Sequence, residues 1–161
     1  MESCKKMRGF TLIELIVVIA IIGILAVILV PSMLGYVKKS RMSQYNANAK
    51  SIYSGAQLAI TDVYNEGDEV ETDTIYICNG KGDPVCTAVG SAEQCDLTDY
   101  LGANFDGYFG FLTDEAGTDC IYAIWSEKPV TSAMFADQMT YDDVKATFDS
   151  SNPRGCHPLK S

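Results

Sequence analysis

Lys5-Lys6-Met7-Arg8-Gly9-Phe10-Thr11-Leu12-Ile13-Glu14 runs directly into an apolar segment, and the fold turns on how this junction is read. A short basic leader ends in Gly9, an aromatic residue follows, and one carboxylate, Glu14, then sits inside hydrophobic sequence. From Leu15 to Val30 every residue is apolar or Gly, and no charge recurs until Lys38. About 20 apolar residues span a bilayer. An acidic side chain at the bilayer centre costs ~2.5–3.5 kcal/mol, less near an interface, so an intramembrane carboxylate is a functional hypothesis by default.

Three readings of this N-terminus compete. A secretory signal peptide carries an apolar stretch of about 7–15 residues and a small-residue cleavage site of A-x-A type. Here the apolar run is longer, contains Glu14, and ends in Leu29-Val30-Pro31-Ser32 without such a site. A plain transmembrane anchor accounts for the length but leaves Glu14 and the Gly9-Phe10 junction unexplained. Flanking charge does not orient it: Lys5, Lys6 and Arg8 precede the segment and Lys38, Lys39 and Arg41 follow it, a tie on the positive-inside count. The third reading explains spacing, leader and carboxylate together. Lys5 to about Arg41 resembles the class III leader and N-terminal helix of type IV pilins and pseudopilins.

That resemblance carries specific expectations. It implies a prepilin peptidase cutting between Gly9 and Phe10, and N-methylation of the new Phe10 amine. It implies assembly through Glu14, whose carboxylate would pair with the Phe10 amine of a neighbouring subunit. It makes Gly23 and Pro31 the bounds of a segment that can unwind as subunits pack. Pro31 also has a plain consequence, since a helical Pro loses one hydrogen bond and clashes with the preceding turn, giving a kink. The implied partners are further copies or other pilin-like subunits in a filament, the peptidase, the assembly platform and the membrane.

Outward from the apolar segment, a helical period continues. Met42, Tyr45, Ala49, Ile52, Ala56, Ala59 and Val63 are spaced 3, 4, 3, 4, 3, 4, one stripe of a helix. One helix is therefore predicted from Phe10 to about Asp62, ~80 Å at 1.5 Å per residue. The stripe is rich in Ala, with Gly55 beside it. A dimeric coiled coil favours Leu, Ile or Val at such positions, so packing against this chain's own sheet fits better.

Past Val63 the pattern changes to strands and turns. Asn65-Glu66-Gly67-Asp68 reads as a turn. Thr74 to Cys78 reads as a strand closed by the turn residues Asn79-Gly80-Lys81-Gly82-Asp83-Pro84. Asp96 to Leu101 reads as one helical turn. Tyr108 to Leu112 and Cys120 to Ser126 read as strands joined through Thr113-Asp114-Glu115-Ala116-Gly117-Thr118. Tyr141 to Phe148 reads as a short amphipathic helix and Gly155 to Ser161 as an irregular tail. Trp125, Phe111 and Tyr122 are expected in the core or on a sheet face. The fold class is α+β, a long N-terminal helix whose first half is transmembrane and whose second half packs on a small antiparallel sheet of three or four strands. The predicted divisions are a cleaved leader over 1–9, the helix over 10–62 with its membrane or fibre-core part at 10–30, and an extracytoplasmic head over 63–161.

Charge and cysteine bound the function. The net charge is −9, and between Asp62 and Asp149 nineteen Asp and Glu stand against Lys81, Lys128 and Lys145, a local balance of −16. Such a head is repelled by phosphates, so no direct nucleic-acid site is expected. The acidic run Asp68-Glu69-Val70-Glu71-Thr72-Asp73 lacks the Asp-x-Asp-x-Asp-Gly spacing of a calcium loop. Neither a metal nor a cofactor is expected. Cys4 lies in the leader, while Cys78, Cys86, Cys95, Cys120 and Cys156 fall in the head and are disulfide candidates. Five cysteines in a small head read as disulfides of an oxidising compartment, two bridges leaving one thiol over. The resemblance suggests Cys120–Cys156 as a bridge bounding a C-terminal loop. Cys156-His157 is a tempting nucleophile and base, but no third group orients it and His157 is the sole His, so an enzyme is not expected. The resulting function is a structural subunit of a type IV pilus or pseudopilus filament. The alternative is a single-pass anchored extracellular binding module that never polymerises. Adhesion, secretion and competence share the same N-terminal physics.

Overall fold

The computed structural model describes residues 10–78, 84–102, 105–148, 150 and 152–160. The expected leader with Gly9 and Cys4, and residues 79–83 of the segment read as a turn, lie outside the described residues. The described chain forms two units, one ending at Lys39 and one beginning at Ser40. The helix α1, Leu12–Glu66, contributes to both.

In the first unit the helix runs unbroken through Pro31. No side chain from Phe10 to Lys39 is buried within the chain. It is the one helix among the described residues long and apolar enough to cross a membrane.

In the second unit the helical stripe meets its sheet. Met42, Tyr45, Ala49, Ile52, Ala56 and Ala59 are buried as the spacing predicts, and Ile60 joins them. Val63 is half-exposed, because the helix is by then leaving the sheet. Gly67 and Asp68 close α1 by donating their N–H groups to the carbonyls of Tyr64 and Val63, a Schellman stop. The stop falls four residues beyond the expected end at Asp62, inside the segment read as a turn.

The sheet has six strands rather than three or four, in the order β3-β2-β1-β4-β5-β6. These are β1 Ile75–Cys78, β2 Val85–Ala88, β3 Gln94–Asp96, β4 Tyr108–Thr113, β5 Cys120–Ser126 and β6 Arg154–His157. Every neighbouring pair is antiparallel. Between β3 and β4 lies a single helical turn, α2 Thr98–Leu101. A 3-10 turn at Ser132–Phe135 and α3, Tyr141–Thr147, follow β5. Thr140 and Asp143 cap α3 reciprocally, each side chain bonding the other's backbone N–H, a capping box.

Both faces of the sheet are covered, which explains why β5 is an almost continuous apolar run rather than an alternating one. One face presents Tyr76, Phe109, Phe111, Ala123 and Trp125 to α1. Tyr76 and Phe111, opposite each other on β1 and β4, stack with centroids 4.9 Å apart. The other face presents Tyr122 and Ile124 to Phe135, Met139 and Val144, from the segment that crosses back over the sheet. Side chains so enclosed contribute ~1.5–3 kcal/mol each.

Two close approaches lock α1 onto the head. A Cβ built on Gly155 would lie 2.2 Å from the Tyr45 carbonyl carbon and 2.6 Å from Asn46 N. There β6 crosses α1 backbone to backbone, and Cys156 N–H donates to Asn46 Oδ1 at 3.2 Å. A Cβ on Gly55 would lie 2.9 Å from Leu101 Cδ2, so its absence seats α2 against the helix. The first part of the tail expected to be irregular, Gly155 to His157, therefore belongs to the ordered edge strand β6. Its order comes from pairing with β5 and from this crossing, neither of which is a local property of Arg154–His157.

The disulfide pattern also differs from expectation. Among the described residues one bridge forms, Cys78–Cys86, between the facing ends of β1 and β2 with Cα atoms 4.1 Å apart. Cys95, Cys120 and Cys156 remain thiols, and the Cys120–Cys156 pairing is not made. A bulge explains this. Leu112 pairs Tyr122 while Thr113 pairs Cys120, so Ile121 is an extra residue and Cys120 is turned to the face of Ala123 and Trp125. Cys156 packs on the opposite face beside Tyr122 and Ile124.

Candidate assembly site at the start of the long helix

Leu12 is the first helical residue, which makes Thr11 the N-cap and Glu14 the third residue of the first turn. Thr11 N–H donates to Glu14 Oε2 at 2.8 Å, and the Thr11 hydroxyl donates to the same oxygen. In return Glu14 N–H reaches Thr11 Oγ1 at 3.4 Å. Together they form a capping box, which satisfies amide groups the first turn would otherwise leave unpaired. A carboxylate at this end is also favoured by the helix dipole. Thr-Leu-Ile-Glu is an [ST]-x-x-[DE] sequence, so the cap was readable from the chain. The reading of Glu14 as an assembly group alone passed over Thr11.

Phe10 precedes the cap and is 84% exposed. Phe10, Ile13, Glu14, Val17 and Val18 line one shallow strip of the helix surface. Glu14 is thus exposed on a face that is otherwise apolar. Gly23 has no atom of the described residues, its own helix backbone aside, within 4 Å of where a Cβ would stand.

The head contains polar clamps that the sequence did not announce. Gln57, from α1, accepts from Cys120 N–H at 2.8 Å and donates to Asp119 Oδ1 at 2.9 Å, fixing the start of β5 to the helix. Tyr100 donates to Asp62 Oδ2 at 2.5 Å. Tyr45 donates to Glu127, and burial together with that carboxylate pushes its hydroxyl up to about 12.

Cys156 and His157, adjacent on β6, are separated by strand alternation. The thiol packs on one face, while the imidazole sits edge-on to Tyr53 of α1 with centroids 5.1 Å apart. Burial raises the Cys156 thiol, and burial with the nearby Lys50 charge lowers the imidazole. The two are not poised as a nucleophile and its base. Among the described residues no group of three or more His, Cys, Asp or Glu is arranged to hold a metal ion.

The long helix with its capped N-terminus and a sheet clasping its second half define an α+β fold built on one extended N-terminal helix. Residues 4–30 match the family model of the prokaryotic N-terminal methylation motif. The chain is 34% identical over 107 residues to the type IV major fimbrial protein FimA of Dichelobacter nodosus, covering 66% of this chain and 55% of that one. It is 49% identical over 47 residues to the type IV major pilin protein PilA of Myxococcus xanthus, covering 29% and 21%. Over almost the full length of both chains, 92% and 96%, it is 24% identical to a type IV major alpha-pilin of Moraxella bovis. The chain spans about half the length of the first curated relatives it matches. No solved structure matches it significantly. The motif and these relatives support a type IV pilin.

Proposed function

We propose that this protein is a structural subunit of a type IV pilus or pseudopilus filament, held first in the membrane by the apolar part of α1 and later packed into an extracellular fibre through it. The single observation that carries this reading is the methylation motif at residues 4–30, laid over a helix that buries no side chain between Phe10 and Lys39 within its own chain. An apolar surface that long is tolerable in two surroundings, lipid or a bundle of like helices. A prepilin peptidase cuts between Gly9 and Phe10, and the exposed Phe10 amine is methylated. Removing the leader takes Lys5, Lys6 and Arg8 from the membrane end, which eases withdrawal from the bilayer. The assembly platform then receives the subunit.

Within the fibre, Glu14 pairs with the Phe10 amine of a neighbouring copy or a related subunit. A desolvated ion pair is favourable only in correct register, so this one sets the axial offset more than it stabilises. Gly23 and Pro31 bound the segment that yields as helices pack. The role is structural rather than enzymatic. Filaments sheared from the native cell surface and probed with antibody to the head test the reading. Labelling along the shaft is expected. Surface label with no filament association would instead favour an anchored binding module.

A further inference from the structure

Register places three cysteines in one row across the edge of the sheet. Tyr76 faces Ala88 and Ile77 faces Thr87, so Cys78 faces Cys86, and Cys86 in turn is paired with Cys95. Directly opposed residues of an antiparallel pair project to the same face. Accordingly Cys78 and Cys86 belong to the core beneath α1, and Cys95 packs against it. Adjacent strands lie ~4.8 Å apart, so the middle sulfur has one cysteine on each side. Displacement at sulfur needs nucleophile, central sulfur and leaving sulfur in line, and a cross-strand row supplies that alignment.

We propose that Cys95 is the attacking thiol of an internal disulfide exchange with the Cys78–Cys86 bridge. Its sulfur attacks Cys86 Sγ, the Cys86–Cys95 bond forms, the Cys78–Cys86 bond breaks, and Cys78 leaves as a thiolate that takes up the proton Cys95 released. No outside oxidant or reductant is consumed. The staple moves from β1–β2 to β2–β3, freeing one strand pair and tying down the edge strand. β3 is only three residues long and Cys95 is half-buried, so local opening at this edge gives the attacking sulfur room.

The surroundings set the conditions. Burial, with Asp96 and Glu93 beside it, pushes the Cys95 thiol up to about 11. Tyr76 on β1, Tyr100 on α2 and Cys120 on β5 also interact with it. From α1 and the loop after it, Asp62, Glu66, Asp68 and Glu69 line the same hollow, and among the described residues no Lys or Arg lines it. The exchange is therefore slow at neutral pH, and its rate rises about tenfold per pH unit as the thiolate fraction grows.

The full chain in detergent, held at neutral and at alkaline pH, acid-quenched, alkylated and peptide-mapped without reduction, tests this. A Cys86–Cys95 bridge with alkylated Cys78 is expected to accumulate with pH, while Cys120 and Cys156 stay alkylated. Cys95→Ser removes the shifted bridge; should that variant misfold, the wild-type time course decides alone. A Cys78–Cys86 bridge unchanged at every pH overturns the proposal. So does entry of Cys120 or Cys156 into bridges as readily as Cys95, which marks global opening.

Discussion

At Glu14 the observed cap and the proposed assembly pairing would share one carboxylate, and substitutions separate them. Thr11→Ala removes the cap but keeps the charge, and should loosen the first turn by about 1 kcal/mol while leaving filaments intact. Glu14→Gln retains a capping side chain and removes the charge, and should abolish filaments while the head folds normally. Electron microscopy of surface filaments, with head folding followed by near-ultraviolet circular dichroism, reads both. Filaments from Glu14→Gln at wild-type level would reduce Glu14 to a cap. Gly155 makes the opposite kind of test, because it acts through packing alone. Gly155→Ala drives a Cβ into the backbone of α1 at Tyr45 and Asn46, and backbone on both sides leaves little to move. A loss of about 1–3 kcal/mol is expected, seen as a lowered melting temperature with the membrane part of the helix unchanged.

Among the elements, the acid response follows from identified groups. The Asp96 carboxylate is held low chiefly by the Thr98 hydroxyl, Asp114 by the Asp119 backbone N–H, and Asp143 by the Thr140 hydroxyl. Each has a folded pKa below its ordinary 3.8. Their stabilisation is present above that value and is lost as pH falls through the depressed one. His157, lowered from 6.5 by burial and then by Lys50, is a base kept neutral. Its contribution is whole above 6.5 and is lost as pH falls through its folded value. Melting temperature should therefore decline in two stages on acidification, and His157→Phe should flatten the upper stage. An unchanged upper stage in that variant would contradict the assignment.

The elements also differ in how far the sequence announces them. β4 and β5 were legible because aromatic and branched residues run together, and the stripe on α1 because its spacing is regular. β2 was not, because its four residues directly follow a Pro in a turn-rich stretch, and β3 and β6 were not, since Gln-Cys-Asp and Arg-Gly-Cys-His carry weak strand preference and become strands by pairing. The Cys120 orientation depended on a bulge at Ile121 that no local signal marks. At the candidate site, the junction singles out Phe10 and Glu14 as candidates from sequence alone. Thr11 was overlooked although the motif that reveals it was present.

For the whole molecule, the two units divide the labour. The head from Ser40 onward completes its own core on both sheet faces. Up to Lys39 the helix buries none of its side chains within the chain, the apolar surface that the proposed function places in lipid or among like helices. Intact-mass analysis of the subunit in filaments sheared from its native host tests this division most directly. The account predicts a chain that begins at Phe10, lacks Met1 to Gly9 and carries one methyl group on its amine. A filament-free, membrane-bound chain that retains Met1 to Gly9 would contradict it.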